Sequence, residues 1–223
     1  MTRTRVLMVV GVLLGDGAPA FASVSSAVDL SRPSSSECRA ISPSGVDPLA
    51  ELRQSDSALS AALRRHVPDW SPEAPVHAAR LRRLLSDILD YEAIARLALG
   101  ARWDALTAEQ RSSFLSLFSP LTDRALLSAA EKHVAVTYES ETVVGPEATV
   151  VVTPRSIEGA GAVSRIEYKL GQHCGRWRIH DVVVDGVSLV DSYRAQFDRL
   201  FKSGSFEDLL AIMRRRLHHE ARP

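Results

Sequence analysis

The sequence predicts an α+β fold, in which N-terminal helices pack on a mainly antiparallel, twisted sheet of four strands closed by two C-terminal helices. Three observations lead there. Apolar residues recur at helical spacing from Asp47 to about Lys132. The period then falls to two between Val134 and Val184, with glycine-containing turns as punctuation. Helical spacing returns at Leu189 and runs to about Leu217.

The first helix begins sharply. Asp47-Pro48 places a capping carboxylate before a proline at the first helical position. Leu49, Leu52, Leu59 and Leu63 recur up to about His66, where Pro68, Pro72 and Pro75 interrupt. A second helix carries Leu81, Leu84, Leu85, Ile88 and Leu89 on one side, with Arg80, Arg82 and Arg83 as its solvated face. Asp90-Tyr91-Glu92 opens a short third helix through Ile94, Leu97 and Leu99, and Gly100 ends it. Thr107-x-x-Gln110 is a capping box, the strongest local helix signal in the chain. Phe114, Leu117, Phe118 and Leu121 form the stripe behind it, and Pro120 is expected to kink or restart that helix.

In the strand region, Val134, Val136 and Tyr138 alternate with polar residues, and Gly145-Pro146 marks a turn. Residues 149–153 are a β-branched run. Ile166, Tyr168 and Leu170 alternate with Arg165, Glu167 and Lys169. Residues 171–175 read as a hairpin loop, residues 177–184 as the last strand, and Asp185-Gly186 as its close. Such a sheet has one apolar and one wet face. Leu189, Tyr193, Phe197, Leu200 and Phe201 then share a helical face, Gly204 ends it, and Ser205 caps the final helix.

The flanks differ in kind. Arg3 and Arg5 precede the apolar run from Val6 to Leu14, and Ala18-Pro19-Ala20-Phe21-Ala22 offers small residues for cleavage. That order reads as a secretion signal over residues 1–22, too short to span a bilayer. A Ser- and Pro-rich leader over residues 23–46, a domain over 47–217 and a tail over 218–223 complete the expected organisation. The expected location is outside the cytoplasm. Cys38 and Cys174 are the two cysteines, and either a disulfide or two free thiols is open to them.

Charge and motifs exclude much. Lys+Arg and Asp+Glu both number 27, so the neutral total gives no general pull toward nucleic acid or anionic membranes. The seven histidines make no metal-ligand spacing. No phosphate loop and no G-x-S-x-G is present. No catalytic residue, metal or cofactor is therefore expected. Cys174 with His173 or His180 is a thiol–base pair in name only, and Asp181, Asp185 and Asp191 read as caps and turns. Arg214-Arg215-Arg216 suits a helix C-terminus, or a patch for an acidic partner.

Three stretches together resemble the MlaC family, also called toluene-tolerance proteins. The first runs from Asp90-Tyr91-Glu92-Ala93-Ile94-Ala95-Arg96 through Leu99-Gly100 to Trp103. The second is Thr107-x-x-Gln110-Arg111-x-x-Phe114, leading to Phe118. The third spans Gly175-Arg176-Trp177-Arg178-Ile179-His180-Asp181-Val182, Asp185-Gly186-Val187-Ser188-Leu189-Val190 and Tyr193-Arg194-x-Gln196-Phe197. The resemblance implies a monomeric periplasmic carrier with an internal apolar cavity. Such a carrier takes phospholipid between an outer-membrane lipoprotein complex and an inner-membrane ABC transporter complex, maintaining outer-membrane lipid asymmetry. The expected cavity lining is Val136, Tyr138, Val150, Val152, Ile166, Tyr168, Val182 and Val184 from the sheet. Leu99, Phe114, Phe118, Leu121, Tyr193 and Phe197 are expected from the helices. Arg194 belongs to a matching Tyr-Arg pair and is expected to orient the chain end or reach a carboxylate, with a purely structural ion pair as the alternative. A hopanoid-associated or other apolar-ligand carrier of the same family is the alternative, and an α+β hydrolase or isomerase using His180 and Asp181 a further one.

Overall fold

A computed structural model describes residues 47–65, 67, 68, 70–130, 133–156 and 165–219. The expected signal and leader, Cys38 included, and the end of the tail lie outside the described residues.

Five helices precede the sheet: α1 (Pro48–Leu63), α2 (Ala74–Ile88), α3 (Tyr91–Leu99), α4 (Ala101–Asp104) and α5 (Ala108–Ala130). Their starts follow the capping chemistry in the sequence. The Asp47 carboxylate accepts from the Leu49 N–H, and Asp90 accepts from the Ala93 N–H. The Thr107 hydroxyl accepts from the Gln110 N–H while the Gln110 amide oxygen accepts from the Thr107 N–H, closing the capping box. Pro120 neither ends nor restarts α5, which continues through it as one helix of 23 residues. The one-turn α4, wedged between Gly100 and Ala105, is too short to show a period and was not expected.

The strands are β1 (His133–Val144), β2 (Glu147–Ser156), β3 (Ile166–His173), β4 (Arg176–Val184) and β5 (Val187–Ser188), an antiparallel meander in that order. The sheet thus has five strands where four were expected. The fifth is two residues long and pairs with Val183 and Val184, below the length at which alternation is legible. The expected loop over 171–175 also shrinks. Strand pairing runs through His173 and Arg176, leaving the two-residue turn Cys174-Gly175. Cys174 (φ 50°) and Gly175 (φ 73°) are both left-handed, as are Asp185 (φ 47°) and Gly186 (φ 82°) between β4 and β5. Two left-handed central residues match the twist of the flanking strands, and glycine takes that conformation without a Cβ clash.

Register places the apolar residues in rows across the sheet. Tyr138, Val152, Ile166 and Val184 are successive partners in one row, and Val150, Tyr168 and Val182 form the next. The helices lie on this face, and the two layers share one hydrophobic core.

The direction of α1 fixes which end of the sheet it approaches. Its first turn meets the end carrying the β1–β2 and β3–β4 turns, where Glu51 accepts from the Arg176 Nε and the Trp177 N–H. One turn later the Arg53 guanidinium lies 5.0 Å over the Tyr138 ring, so α1 runs against β1 toward its start. α2 returns, and its last turn is tied back when Arg178 donates to the Ser86 carbonyl and Asp90 N–H donates to Ile179. The α1–α2 loop therefore lies at the far end of the sheet, where β1 begins and β4 ends.

After the sheet come α6 (Leu189–Leu200) and α7 (Phe206–His219). The buried Asp181 carboxylate ties α6 to β4, accepting from the Ser188 hydroxyl at 2.8 Å and the Val190 N–H at 3.1 Å. Asp181→Ala should lower the unfolding free energy by ~2–3 kcal/mol, because two donors lose a charged acceptor. Asp181→Asn should lose less, since one acceptor oxygen remains. Urea titration followed by circular dichroism measures both, and an unchanged midpoint for the alanine variant contradicts this role.

Candidate functional site

The structure brings the fourteen expected lining residues to one core but divides them into two groups. Ten are buried: Leu99, Phe114, Phe118, Leu121, Val150, Val152, Ile166, Val182, Tyr193 and Phe197. Four keep accessible surface while packing against that core: Val136, Tyr138, Tyr168 and Val184.

The helix-side aromatics form a closed ring cluster. Phe114 stacks on Phe118 at 5.1 Å, Tyr193 meets Phe118 edge-on at 5.2 Å, and Phe197 meets Phe114 edge-on at 5.8 Å. Such contacts stabilise beyond the area they bury. Two hydroxyls sit inside it. Those of Tyr193 and Thr122 are buried near one another without reaching hydrogen-bond geometry to any described group. Burial pushes the Tyr193 phenol up to about 12, and the Thr122 hydroxyl offsets part of that rise. Next to them Tyr91 donates to the buried Asp123 carboxylate, which keeps that acid satisfied inside the core.

The four half-buried residues sit on the rows nearest the far end. Tyr168 is enclosed by enough protein for desolvation to push its phenol well above the ordinary value of 10.0, yet it retains accessible surface. Desolvation likewise raises Tyr138, and the neighbouring Asp56 carboxylate raises it further. The Tyr138 hydroxyl is buried beside the Asp56 carboxylate, near enough to favour its ionised form but short of good hydrogen-bond geometry. A buried hydroxyl without a well-formed hydrogen bond costs up to about 1–3 kcal/mol, which a ligand oxygen or a water would recover.

Asp56 and Arg53, neither of them among the expected site residues, close this site from above. Burial raises the Asp56 carboxyl from 3.8, while Tyr138 and Arg64 lower it again in part. The sequence did carry a signal for Asp56. Leu52, Asp56, Leu59 and Leu63 share one helical stripe, so a carboxylate interrupts an apolar face.

The other candidate residues are engaged structurally. Cys174 is disulfide-bonded and offers no thiol. His173 Nδ1 lies 3.2 Å from Asp90, and His180 Nε2 lies 2.8 Å from Glu147. Asp185 accepts from the Arg165 N–H. Arg194 pairs with Asp191 at 2.9 Å and donates to the Leu97 carbonyl, so among the described residues it braces α6 against α3. Among the described residues, no three His, Cys, Asp or Glu side chains are placed to hold a metal. None of the described helices is long and apolar enough to cross a membrane. A groove of about 470 Å³ opens between α1, α2 and the β3–β4 turn, away from the expected site. Ala50, Ala58, Leu84 and Gly175 line it together with Glu51, Gln54, Ser55, Asp87 and Arg176, a mixed surface that includes four charged or amide side chains.

Comparison with known proteins decides the family. The profile described as MlaC protein matches residues 57–215. The chain belongs to the MlaC family. One solved structure similar to it is a phospholipid-binding protein from Ralstonia solanacearum, determined in complex with a phospholipid. The two share 19% identity and a TM-score of 0.65, over 79% of this chain and 100% of that one. No curated protein matches the chain.

In this MlaC chain the raised Asp56 acid makes a testable contribution to stability. A folded-state pKa above the unfolded one means that the charge is better tolerated when unfolded. Asp56 therefore costs stability above its folded pKa, and the cost fades as pH falls toward 3.8. Asp56→Asn should melt higher than the parent at pH 7, with the gap closing on acidification. A variant that melts lower at pH 7, or a gap independent of pH, contradicts the assigned burial.

Proposed function

We propose that the chain is a periplasmic phospholipid carrier, not an enzyme, acting as a monomer through a domain over residues 47–217 after removal of residues 1–22. It would receive and deliver lipid between an outer-membrane lipoprotein complex and an inner-membrane ABC transporter complex, and so maintain outer-membrane lipid asymmetry. The observation that carries the reading is the far end of the interior, where Val136, Tyr138, Tyr168 and Val184 keep surface against an otherwise dry core. Family membership and the phospholipid held by the Ralstonia solanacearum protein support it.

The physics of the cargo fits the site. Each buried methylene is worth about 0.8 kcal/mol, so an acyl chain exposed to water costs on the order of 10 kcal/mol. A carrier must therefore enclose its chains, and it needs apolar walls but no reactive group. In this reading the chains part the sheet from the helices beyond the aromatic cluster, and the headgroup stays outside. The Tyr138 hydroxyl would then donate to an ester oxygen of the lipid. The Thr122 and Tyr193 hydroxyls lie deeper, among rings that the chain ends would reach.

Organic extraction of the purified protein followed by mass spectrometry should recover phospholipid. A clean extract, together with no uptake of added phospholipid, overturns the reading. Tyr138→Phe sharpens it. Losing the donor should weaken phospholipid retention about fivefold. Retention unchanged by Tyr138→Phe removes the hydroxyl from the binding scheme.

A further inference from the structure

The α1–α2 loop and the first turn of α2 each carry an apolar side chain that stands outside the core. Trp70 is 87% exposed and Val76 is 73% exposed. Neither contributes to the core, and a single exposed apolar residue is ordinary on a surface, so the case for a contact rests on what surrounds the pair.

The charge around the pair names the partner. The whole chain is neutral, but residues 64–83 hold five arginines against Asp69 and Glu73. Glu73 is taken by Arg65 at 2.5 Å. Val76, Arg80 and Arg83 follow one another at four- and three-residue spacing, which puts them on one stripe of α2, and all three are exposed. The opposite stripe, Leu81, Leu85 and Ile88, is the buried one. Arg64 stands exposed at the end of α1 beside the same loop. A tryptophan and a valine flanked by the exposed Arg80 and Arg83 match the interface of an anionic bilayer, where the indole sits at headgroup depth and each basic side chain adds attraction. The neutral total had suggested no pull toward anionic membranes, and the local segregation of charge reverses that at this one end.

Position adds the third argument. The loop lies at the far end of the sheet, the end on which Tyr138, Tyr168, Val136 and Val184 keep their surface. We propose that Trp70, Val76, Arg80 and Arg83 form a docking surface for anionic phospholipid bilayers, seating the mouth of the interior against the membrane during lipid transfer. This rests on the carrier reading for its purpose but not for its detection.

The chain is suited to a direct test. Of its three tryptophans, Trp103 is 2% and Trp177 6% exposed, so an environmental change at Trp70 dominates any spectral shift. The exported protein is mixed with vesicles containing phosphatidylglycerol, or with phosphatidylcholine vesicles, and followed by co-sedimentation, tryptophan emission and iodide quenching. Sedimentation with the anionic vesicles, a blue shift and loss of iodide access are expected, all reduced by high salt. Neutralising Arg80 and Arg83 to Gln should weaken binding about fivefold for each arginine. Trp70→Ala should weaken it at least about tenfold. All these side chains are exposed, so circular dichroism should show the variants folded. Absence of anionic-vesicle binding overturns the proposal, as does binding that leaves Trp70 open to iodide, or a Trp70 shift caused only by a protein complex. Extraction of the same sample separates the two readings. Bound phospholipid without vesicle binding removes the docking surface alone, and vesicle binding through Trp70 without bound phospholipid removes the carrier reading alone.

Discussion

One apolar sheet face has to be covered, and the chain supplies the cover from both sides of the sheet in sequence. α1 to α5 come before the strands, and α6 and α7 after them. An antiparallel meander with two-residue turns at β1–β2, β3–β4 and β4–β5 brings its apolar residues into rows with no choice of register, because a slip of one residue would turn every row to water. Asp181 then fixes where the last strand hands over to α6, and Glu51 fixes where α1 meets the β3–β4 turn. With both anchors set, the row nearest the far end is buried at Val152 and Ile166 and stays partly accessible on its flanks, at Tyr138 and Val184.

That difference in cover separates a core from a site. The ring cluster of Phe114, Phe118, Tyr193 and Phe197 is packed as a protein interior is packed. Val136, Tyr138, Tyr168 and Val184 have the same apolar character and the same sheet face but incomplete cover. Function in this family does not demand a reactive constellation. In the proposed carrier, the boundary between the layers would part for an apolar guest and close again, with a polar group or two placed to read the guest's oxygens.

Much of this was legible in the residues. Alternation through Ile166, Tyr168 and Leu170 identified the strand and its inward face, and Thr107 with Gln110 located the start of α5. Elements below one period were not legible: α4 spans one turn and β5 two residues, and both are made by their neighbours rather than by their own pattern. The strand reaching into His173 was hidden because glycine-flanked polar residues read as loop, while the left-handed pair Cys174-Gly175 needs only two positions. For the site, the sequence could say which side chains face inward. It could not say which keep surface, since that depends on where the helical layer stops. Asp56 is the exception, a carboxylate on a leucine stripe that marks the site's edge before any fold is known.

The central claim is that lipid chains occupy the space between the sheet and the helices at its far end. A phospholipid with a photoreactive group along one acyl chain, bound to the protein and activated, reports that space directly by mass spectrometry of the labelled peptides. The account predicts labels on the strands carrying Val136, Tyr138, Tyr168 and Val184, and deeper groups reaching α5 and α6 near Phe118 and Tyr193. Labels confined to the groove lined by Gln54, Ser55 and Asp87, or to the outer face of the sheet, would contradict it.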